Sequence, residues 1–334
     1  MSSPRQSSRT GKSTSSAQRK KRTDLPKDLL TVADIPRNTI HHLIALAQKM
    51  KAARTQGRTT FPLKGKTLGL IFEKPSTRTR VSFEAGMNQL GGQAIFLASE
   101  KIQLSRGESL ADTAKVLTRY LDGLVVRTFN QTSLEEWARH TSIPVINGLT
   151  DDCHPCQALA DLLTIVEHRG HAKGLKLAYI GDGNNITHSL IEIGAKVGMH
   201  VTVGCPQGYE PDPHIVEAAQ KEGQQTGARI EITHDPNIAA TDADVIYTDV
   251  WISMGQEHQQ EPRMEALAPY QVNGRLMQQA KPDALLMHCL PAHRGEEITE
   301  DVLDGPQSVV LDQAENRLHI QKAILLQWLG RSPL

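Results

Sequence analysis

Short apolar runs alternate with stretches of helical periodicity along most of the chain. Residues 38–53 place apolar side chains at helical spacing and predict a first helix. Strand-like runs follow, with helical stretches such as residues 109–120 between them, at residues 68–72, 93–97 and 123–127. Strands that alternate with helices in this way are typical of a parallel sheet covered by helices.

The alternation begins again after residue 152. The second half predicts helices at residues 156–167, 185–197 and 213–222 and strands at residues 175–180, 200–203, 229–233, 245–248 and 284–288. Nearly uninterrupted apolar runs fit strands that are covered on both faces, and ligands bind in the crevice at the carboxyl ends of such strands. The sequence therefore predicts an α/β fold with two doubly wound parallel-sheet domains linked by helices.

These patterns also predict where each domain begins. We expect residues 1–25 to form a disordered basic tail, because they carry almost no acidic or apolar residues. Residues 26–150 form the first predicted domain, and residues 151–317 form the second. The remaining segment, residues 318–334, contains an amphipathic stretch from Lys322 onward, which predicts a helix that packs back on the first domain.

Length, charge and cysteine content narrow the functional class. The 334 residues suffice for two domains, and 37 Lys and Arg balance 37 Asp and Glu. Without a net charge the chain lacks the field that recruits nucleic acid or anionic membranes, so we expect neither as a partner. No apolar stretch approaches the roughly 18 residues of a membrane span, and four cysteines are too few for a disulfide scaffold. We therefore expect a cytoplasmic protein that acts on small molecules.

The segment between the first predicted strand and the next helix has the chemistry of an anion site. Ser76, Thr77, Arg78, Thr79 and Arg80 bring hydroxyls and guanidinium groups into one turn. Arginine binds phosphate bidentately, and a helix start adds N–H groups and the positive end of its dipole. A solvated basic loop, a phosphorylation site or a nucleic-acid patch would have the same composition, but the position after a strand favours phosphate. The pattern is not that of a nucleotide P-loop.

A second candidate site lies at the start of the second half. His154 and Gln157 are three residues apart, so on a helix both side chains could address one carbonyl group and its amide nitrogen. Two alternatives remain open. His154 could only cap the helix, and Cys153 and Cys156 could form a redox pair whose first thiolate is stabilised at the helix start. The pair does not follow the first strand of a small thioredoxin-like unit, which argues against the redox alternative.

Three further strand ends carry polar residues. The segment Gly-Asp-Gly-Asn-Asn lacks the third glycine of a dinucleotide fingerprint, and its amides at Asn184 and Asn185 could instead bind a carboxylate. Asp249 and Ser253 could hold an ammonium group, and Cys289 follows another strand. A turn, a helix cap and an inert buried thiol are the corresponding structural alternatives. The His and Cys residues lack the paired spacing of zinc sites, so we expect no metal.

Taken together, these motifs resemble the aspartate/ornithine carbamoyltransferase family from about residue 27 onward. Ser-Thr-Arg-Thr-Arg followed by His-Pro-x-Gln is similar to the carbamoyl phosphate site of that family. Asp-Val-Trp-x-Ser-Met-Gly and His-Cys-Leu-Pro, which contain Asp249 and Cys289, resemble its ornithine branch. The resemblance implies two α/β domains joined by helices, assembled as a homotrimer with active sites between subunits.

The resemblance also implies a role for each matching residue. The residues expected to bind carbamoyl phosphate are Ser76, Thr77, Arg78, Thr79, Gln103, Arg127, His154, Gln157, Leu290 and Arg317, with Gln103 reaching into a neighbouring subunit and Leu290 acting through its carbonyl. The residues expected to bind ornithine are Asn185, Asp249, Ser253, Met254 and Cys289, with Asn184 as the alternative to Asn185. The expected catalytic residues are Arg127, His154 and Cys289.

The implied reaction is transfer of the carbamoyl group from carbamoyl phosphate to the δ-amine of L-ornithine, which gives L-citrulline and phosphate within arginine biosynthesis. It needs no cofactor. Donors at Arg78, Thr79, Arg127 and His154 would stabilise the charge that grows on the carbonyl oxygen, as an oxyanion hole does. The alternatives are a carbamoyltransferase for putrescine or an N-acylornithine, and a small-ligand-binding protein without catalytic activity. The intact segment from residue 249 to 255 favours a free α-amino acid as acceptor.

Overall fold

Helices and strands alternate through both halves of the protein, whose computed structural model describes residues 25–252, 255 and 260–330. The strands are β1 (Thr67–Phe72), β2 (Gln93–Ala98), β3 (Gly123–Arg127), β4 (Val145–Leu149), β5 (Lys176–Ile180), β6 (His200–Gly204), β7 (Ile230–Thr233), β8 (Val245–Thr248) and β9 (Leu285–His288). The helices are α1 (Arg37–Thr55), α2 (Thr77–Gln89), α3 (Leu110–Leu117), α4 (Gln131–His140), α5 (Pro155–Arg169), α6 (Asn185–Val197), α7 (Pro213–Thr226), α8 (Pro236–Ala240), α9 (Gln260–Leu267), α10 (Gly274–Met277), α11 (Glu300–Leu303) and α12 (Val310–Leu329). Short 3₁₀ helices occur at Ser99–Lys101, Gln103–Arg106 and Ala268–Tyr270. The predicted tail up to residue 24, and Ser253 and Met254 of the predicted ornithine site, lie outside the described residues.

The first sheet has the strand order β2-β1-β3-β4, and neighbouring strands run parallel. Its central strands β1 and β3 are apolar and buried along almost their whole length, as expected for strands with helices on both faces. The chain order reverses between β1 and β3, and their register pairs Phe72 with Arg127. The loop after β1, which carries the predicted phosphate residues, therefore leaves the sheet beside Arg127.

The second sheet has the order β7-β6-β5-β8-β9 and is also parallel. Its order reverses between β5 and β8, the position at which doubly wound sheets bind ligands. The register pairs Thr248 with His288, so Asp249 and Cys289 follow neighbouring strands side by side. The prediction of an α/β fold with two doubly wound parallel sheets is confirmed.

Helix α12 connects the two halves. It packs against α1 and α2 beside the first sheet and against α5 beside the second. The predicted start at Lys322 is wrong, because the helix begins at Val310. Its first three turns carry the buried polar residues Gln313, Asn316 and Arg317, which interrupt the apolar periodicity that the prediction relied on. Arg317 therefore projects from the body of a buried helix.

Two elements of the first half were not predicted from the sequence. Strand β4 contains Asn147 and Gly148, two residues that are rare in strands and typical of turns. Asn147 is fully buried, and its side-chain amide donates to the Leu30 carbonyl and to the Cys153 sulfur. The second unpredicted element is helix α4, which follows β3 and begins at Gln131.

Among the described helices, none combines the length and the apolar character that crossing a bilayer requires.

Candidate active site

The loop between β1 and α2 forms one wall of the site. Ser76 caps helix α2, and its hydroxyl oxygen accepts the Thr79 backbone N–H at 3.2 Å. Thr79 is buried, whereas Thr77 and Arg78 are exposed. Arg78 Nη2 donates to the Leu290 carbonyl oxygen at 2.6 Å, across 212 positions of sequence. The N-terminus of α2 and its cap thus lie beside the loop that follows β9.

Arg127 lies at the carboxyl end of β3, next to that loop. Its side chain is only 5% exposed. Burial, and then the charges of Arg317 and Arg78, lower the pKa of Arg127 to about 10. The Arg127 charge is thus buried, and it is repelled by the buried Arg317 and the exposed Arg78, which together favour binding of an anion beside it.

His154 and Gln157 lie at the start of α5, as the sequence predicts. Pro155 occupies the first helical position, which suits its fixed φ angle and missing N–H. The His154 backbone N–H donates to the Ser189 hydroxyl at 2.8 Å. Burial, and then the charges of Arg317, Arg127 and Arg78, lower the pKa of His154 well below its ordinary value. Its imidazole is therefore neutral at pH 7.

Arg317 connects the two halves of the site. Its Nη1 donates to Gln157 Oε1 at 2.5 Å, and its Nη2 donates to Thr79 Oγ1 at 3.1 Å. The guanidinium group is 4% exposed. Helix α12 thereby holds the start of α2 against the start of α5.

Several buried nitrogen atoms of these residues lack a hydrogen-bond partner. Within the described part of the chain, Arg127 Nε, His154 Nδ1 and Arg317 Nε have none. A buried unpaired polar group costs free energy, so native proteins keep such groups mainly where a ligand or water meets them. Arg317 lowers the pKa of Arg127, and both arginines lower that of His154, so the three unpaired atoms belong to residues close enough to interact.

A second cluster lies at the carboxyl ends of β8, β9 and β5. Cys289 Sγ donates to Asp249 Oδ1 at 2.9 Å, and Asn184 Nδ2 donates to Asp249 Oδ2 at 3.0 Å. Burial, and then the charge of Asp249, raise the pKa of the Cys289 thiol well above its ordinary value. The thiol is therefore protonated at neutral pH. A buried carboxylate with this partner is suited to a positively charged or amine ligand.

The two asparagines after β5 differ in their surroundings. Asn184 caps α6, because its side-chain oxygen accepts the N–H groups of Ile186 and Thr187. Asn185 donates to the Thr150 carbonyl at 2.6 Å and is partly exposed. Asn184 is thus committed to the helix cap and to Asp249, which leaves Asn185 as the better candidate for a carboxylate ligand.

Gln103 is the predicted residue that the structure does not bring to this site. It is exposed on a 3₁₀ helix that follows the edge strand β2. No side-chain hydrogen bond joins it to another candidate residue within the described ranges. A role for Gln103 in this site therefore needs a second copy of the chain.

Three buried charged residues of the region were not predicted from the sequence. Lys74 pairs with Asp151, and its ammonium lies 4.3 Å from the centre of the Phe129 ring. Asp161 accepts a hydrogen bond from Gln157 at 2.7 Å. Glu297 lies 3.1 Å from His288 Nε2. Of these three residues, only Asp161 could have been predicted from the sequence, because it stands four residues after Gln157 and so lies on the same helix face.

The structure argues against the redox alternative. Cys153 and Cys156 are buried and free, and burial raises the pKa of each thiol to about 12. A reactive dithiol needs a lowered pKa.

Asp249, His288 and Cys289 place potential metal-ligand atoms within 4.8 Å of one another, a grouping that sequence spacing did not indicate. The His288 Nδ1 atom accepts the Leu290 N–H at 2.9 Å, so this imidazole already supports the loop that carries Leu290.

Comparison with known proteins identifies two adjoining family matches. Residues 27–167 match the model of the aspartate/ornithine carbamoyltransferase carbamoyl-P binding domain, and residues 173–328 match that of the Asp/Orn binding domain. The ornithine carbamoyltransferase of Anoxybacillus flavithermus is 57% identical over 91% of this chain and 96% of that protein. The Thermococcus kodakarensis enzyme of the same name is 52% identical over 91% and 96% of the two chains. The solved ornithine carbamoyltransferase of Pyrococcus furiosus is 51% identical, with a TM-score of 0.89 over 92% of this chain and 98% of that one.

Proposed function

This chain belongs to the aspartate/ornithine carbamoyltransferase family, and from that premise we propose that it transfers the carbamoyl group of carbamoyl phosphate to the δ-amine of L-ornithine. The products are L-citrulline and phosphate. The observation that carries the proposal is the convergence of Arg78, Arg127 and Arg317 around neutral His154, beside the hydrogen-bonded pair Asp249 and Cys289. The first group suits a dianionic phosphate, and the second suits an amine.

Carbamoyl phosphate binds between the start of α2 and the start of α5. Ser76, Thr77, Arg78 and Thr79 hold the phosphate, together with Arg127. His154 and Thr79 donate to the carbonyl oxygen, while Gln157 Oε1 and the Leu290 carbonyl accept from the amino group. Arg317 completes the cage, and Gln103 of a neighbouring subunit adds to it. Three guanidinium charges face a dianion, so binding offsets the burial, and then the repulsion from Arg317 and Arg78, that lower the pKa of Arg127.

Ornithine binds at the carboxyl ends of β5, β8 and β9. Asn185 takes its carboxylate, and Asp249, Ser253 and the Met254 backbone take its α-ammonium. Cys289 lies beside the side-chain amine. The match to a carbamoyl-P binding domain over residues 27–167 and to an Asp/Orn binding domain over residues 173–328 supports this division of labour. We place the domain boundary near residue 150 and assign the last part of α12 to the first domain.

The chemical step is direct attack of the neutral δ-amine on the carbonyl carbon. Negative charge grows on the carbonyl oxygen, and the phosphate leaves with the bonding electrons of the C–O bond. The attacking nitrogen loses one proton, which the departing phosphate takes up. Fixed donors aimed at a growing charge accelerate such steps more than any other single device. A neutral imidazole can donate one N–H to this oxygen, and the lowered pKa of His154 keeps it in that form.

A homotrimer is the assembly that supplies Gln103. The exposed side chains Ile95, on the edge strand β2 that precedes the Gln103 turn, and Val81, on the helix α2 that packs against β2, offer apolar area for a second copy. Light scattering should then report about three times the 36.8 kDa chain mass. Mixing inactive Gln103→Ala and Arg127→Met chains should restore activity in hybrid trimers, whereas a site built within one chain would gain nothing from mixing.

The reaction fits a cytoplasmic role in arginine biosynthesis. All four cysteines are free, as is usual in a reducing compartment. The names of the relatives give no support to putrescine or an N-acylornithine as acceptor.

The deciding experiment is a colorimetric citrulline assay with carbamoyl phosphate and ornithine, run beside putrescine and N-acetylornithine. We expect product with ornithine and at most traces of carbamoylated product with the other amines. Arg127→Met serves as the inactive control. Absence of citrulline, or a preference for another amine, would overturn the proposal.

A further inference from the structure

Asp161 is a fully buried carboxylate behind the carbamoyl phosphate site. It lies on α5 one turn after Gln157 and is 0% exposed. Its Oδ1 accepts from Gln157 Nε2 at 2.7 Å and from Gln313 Nε2 at 2.8 Å, and its Oδ2 accepts from the Tyr247 hydroxyl at 3.1 Å. Burial raises the pKa of Asp161 to about 7, whereas its three partners all donate and so favour the ionised carboxylate, which can only accept.

The partners of Gln157 leave its amide only one orientation. On one side its Nε2 donates to Asp161, and on the other its Oε1 accepts from Arg317 Nη1 at 2.5 Å. A flipped amide would turn an NH₂ group toward guanidinium donors and an oxygen toward a carboxylate. Both contacts would be repulsive, so Gln157 Oε1 must face Arg317 and the ligand. This oxygen has a second lone pair, which remains available to another donor.

We propose that Asp161 is a positioning residue, which locks Gln157 Oε1 as an acceptor for the amino group of carbamoyl phosphate and so makes the site prefer a carbamoyl to an acetyl group. The inference rests on the proposed function and deepens it. Gln157 Oε1 and the Leu290 carbonyl together present two acceptors where the carbamoyl donor has an NH₂ group. Acetyl phosphate has a methyl group there, and it would leave both acceptors unpaired.

The cost of burying Asp161 supports this role. A buried charge adds little to stability compared with apolar residues of the same volume, so a packing role alone would not favour a carboxylate here. The surrounding donors come from three elements, with Gln157 on α5, Tyr247 on β8 and Gln313 on α12. Asp161 touches neither the proposed phosphate residues nor Cys289 through a hydrogen bond among the described contacts. Its hydrogen-bonded route to the substrate therefore passes through Gln157, while its charge also acts on the pKa values of Arg317 and Cys289.

The test compares carbamoyl phosphate with acetyl phosphate, which differ only in the amino or methyl group that faces Gln157 in the proposed complex. Asp161→Asn keeps the shape of the side chain but lets it donate, so the Gln157 amide loses one of the two contacts that hold its orientation and keeps the one to Arg317. With saturating ornithine, the KM for carbamoyl phosphate should rise about 10- to 100-fold, as is typical when the partner of a ligand-binding group is lost. The inhibition constant of acetyl phosphate should stay within about twofold, because its carbonyl and phosphate contacts are elsewhere.

A double-mutant cycle identifies the route of the effect. In a Gln157→Ala background, Asp161→Asn should change the KM for carbamoyl phosphate by less than about twofold. Tyr247→Phe is the matched control, because it removes one donor to Asp161 but leaves the Gln157 contact intact. Its KM for carbamoyl phosphate should remain close to that of the wild type. If Asp161→Asn does not fold, Asp161→Ser carries the same test with a smaller side chain.

The outcomes separate the two claims. Equal losses for carbamoyl and acetyl phosphate, or an undiminished effect of Asp161→Asn without Gln157, would make Asp161 a purely structural residue and overturn the inference. A wild-type KM in Asp161→Asn would do the same. Failure of the wild-type protein to form citrulline would instead overturn the proposed function.

Discussion

Replacing Arg127 by methionine should stabilise the unliganded protein while it destroys carbamoyl phosphate binding. The side chain is 5% exposed, and its pKa falls from the ordinary 12.5 to about 10. At 1.36 kcal/mol per pKa unit, this fall corresponds to about 3 kcal/mol of free energy spent on keeping the charge in the folded state. The group is charged at pH 7 in both the folded and the unfolded chain. The cost is therefore present at every pH below about 10 and is lost only as the pH rises toward 12.5.

Methionine keeps the aliphatic stem and removes the charge. Differential scanning calorimetry without ligand should show a melting midpoint higher by roughly 2 to 6 °C, since 1 kcal/mol shifts a chain of this size by about 2 °C. Carbamoyl phosphate at 100 times its dissociation constant should stabilise the wild type by about 2.7 kcal/mol. It should leave the Arg127→Met midpoint unchanged.

Arg263→Met is the matched control, because Arg263 is a buried arginine with the opposite electrostatic situation. It is 6% exposed, pairs with Asp182, and donates to the Trp251 carbonyl at 2.8 Å. Its removal leaves a buried carboxylate unpaired, which should cost about 3 to 5 kcal/mol. If Arg127→Met lowered the midpoint as Arg263→Met does, burial of the Arg127 charge beside Arg317 and Arg78 would not destabilise the folded protein, and the reasoning would be refuted.

Three further predictions concern the two substrates. Arg78→Ala removes a charge-assisted phosphate contact together with the hydrogen bond to the Leu290 carbonyl. We expect transition-state stabilisation to fall by on the order of 3 kcal/mol or more, and carbamoyl phosphate binding to be lost. Wild-type affinity for carbamoyl phosphate in calorimetry would show that Arg78 does not bind the phosphate. Cys289→Ala should raise the KM for ornithine and leave that for carbamoyl phosphate unchanged, and an unaltered ornithine dependence would make the thiol structural. Between pH 7 and 8.5, kcat/KM for ornithine should rise by about tenfold per pH unit, because an alkyl amine has a pKa of about 10.4. The pKa of Cys289 is raised above this range and that of His154 lies below it, so a flat profile would exclude amine deprotonation as the limiting event.

The parts of the fold that follow from local pattern could be predicted from the sequence. Strands such as β1 and β5 consist of apolar residues between turn signals, so their positions were predicted to within about two residues. Strand β4 was missed because Asn147 and Gly148 look like a turn, and only the contacts of the Asn147 amide explain why it is a strand. The start of α12 was missed because its buried polar residues look like a solvent-exposed surface.

The site could be predicted in part because its residues stand directly after strands. That position placed Arg127, Asp249 and Cys289 at sheet edges without any knowledge of the tertiary structure. What the sequence could not reveal were contacts between distant segments, such as Arg78 with Leu290 and Arg317 with Thr79. Asp161 and Lys74 were not predicted as part of the site for the same reason, because their burial depends on partners far away in the sequence. Leu290 is a further case, since its left-handed φ of 58° is unusual for leucine and no local signal foretells it.

The packing of α12 against α1, α2 and α5 determines the order in which the protein can mature on the ribosome. Helix α1 ends at Thr55, whereas the helix that covers it extends from Val310 to Leu329. At about 5 to 20 residues per second, roughly 15 to 55 s of translation separate the two. During that interval the nascent first half has an uncovered apolar groove and lacks Arg317. Chaperones have their best opportunity to bind then, and a truncated product that ends before Val310 would be a substrate for proteases rather than a half-active enzyme.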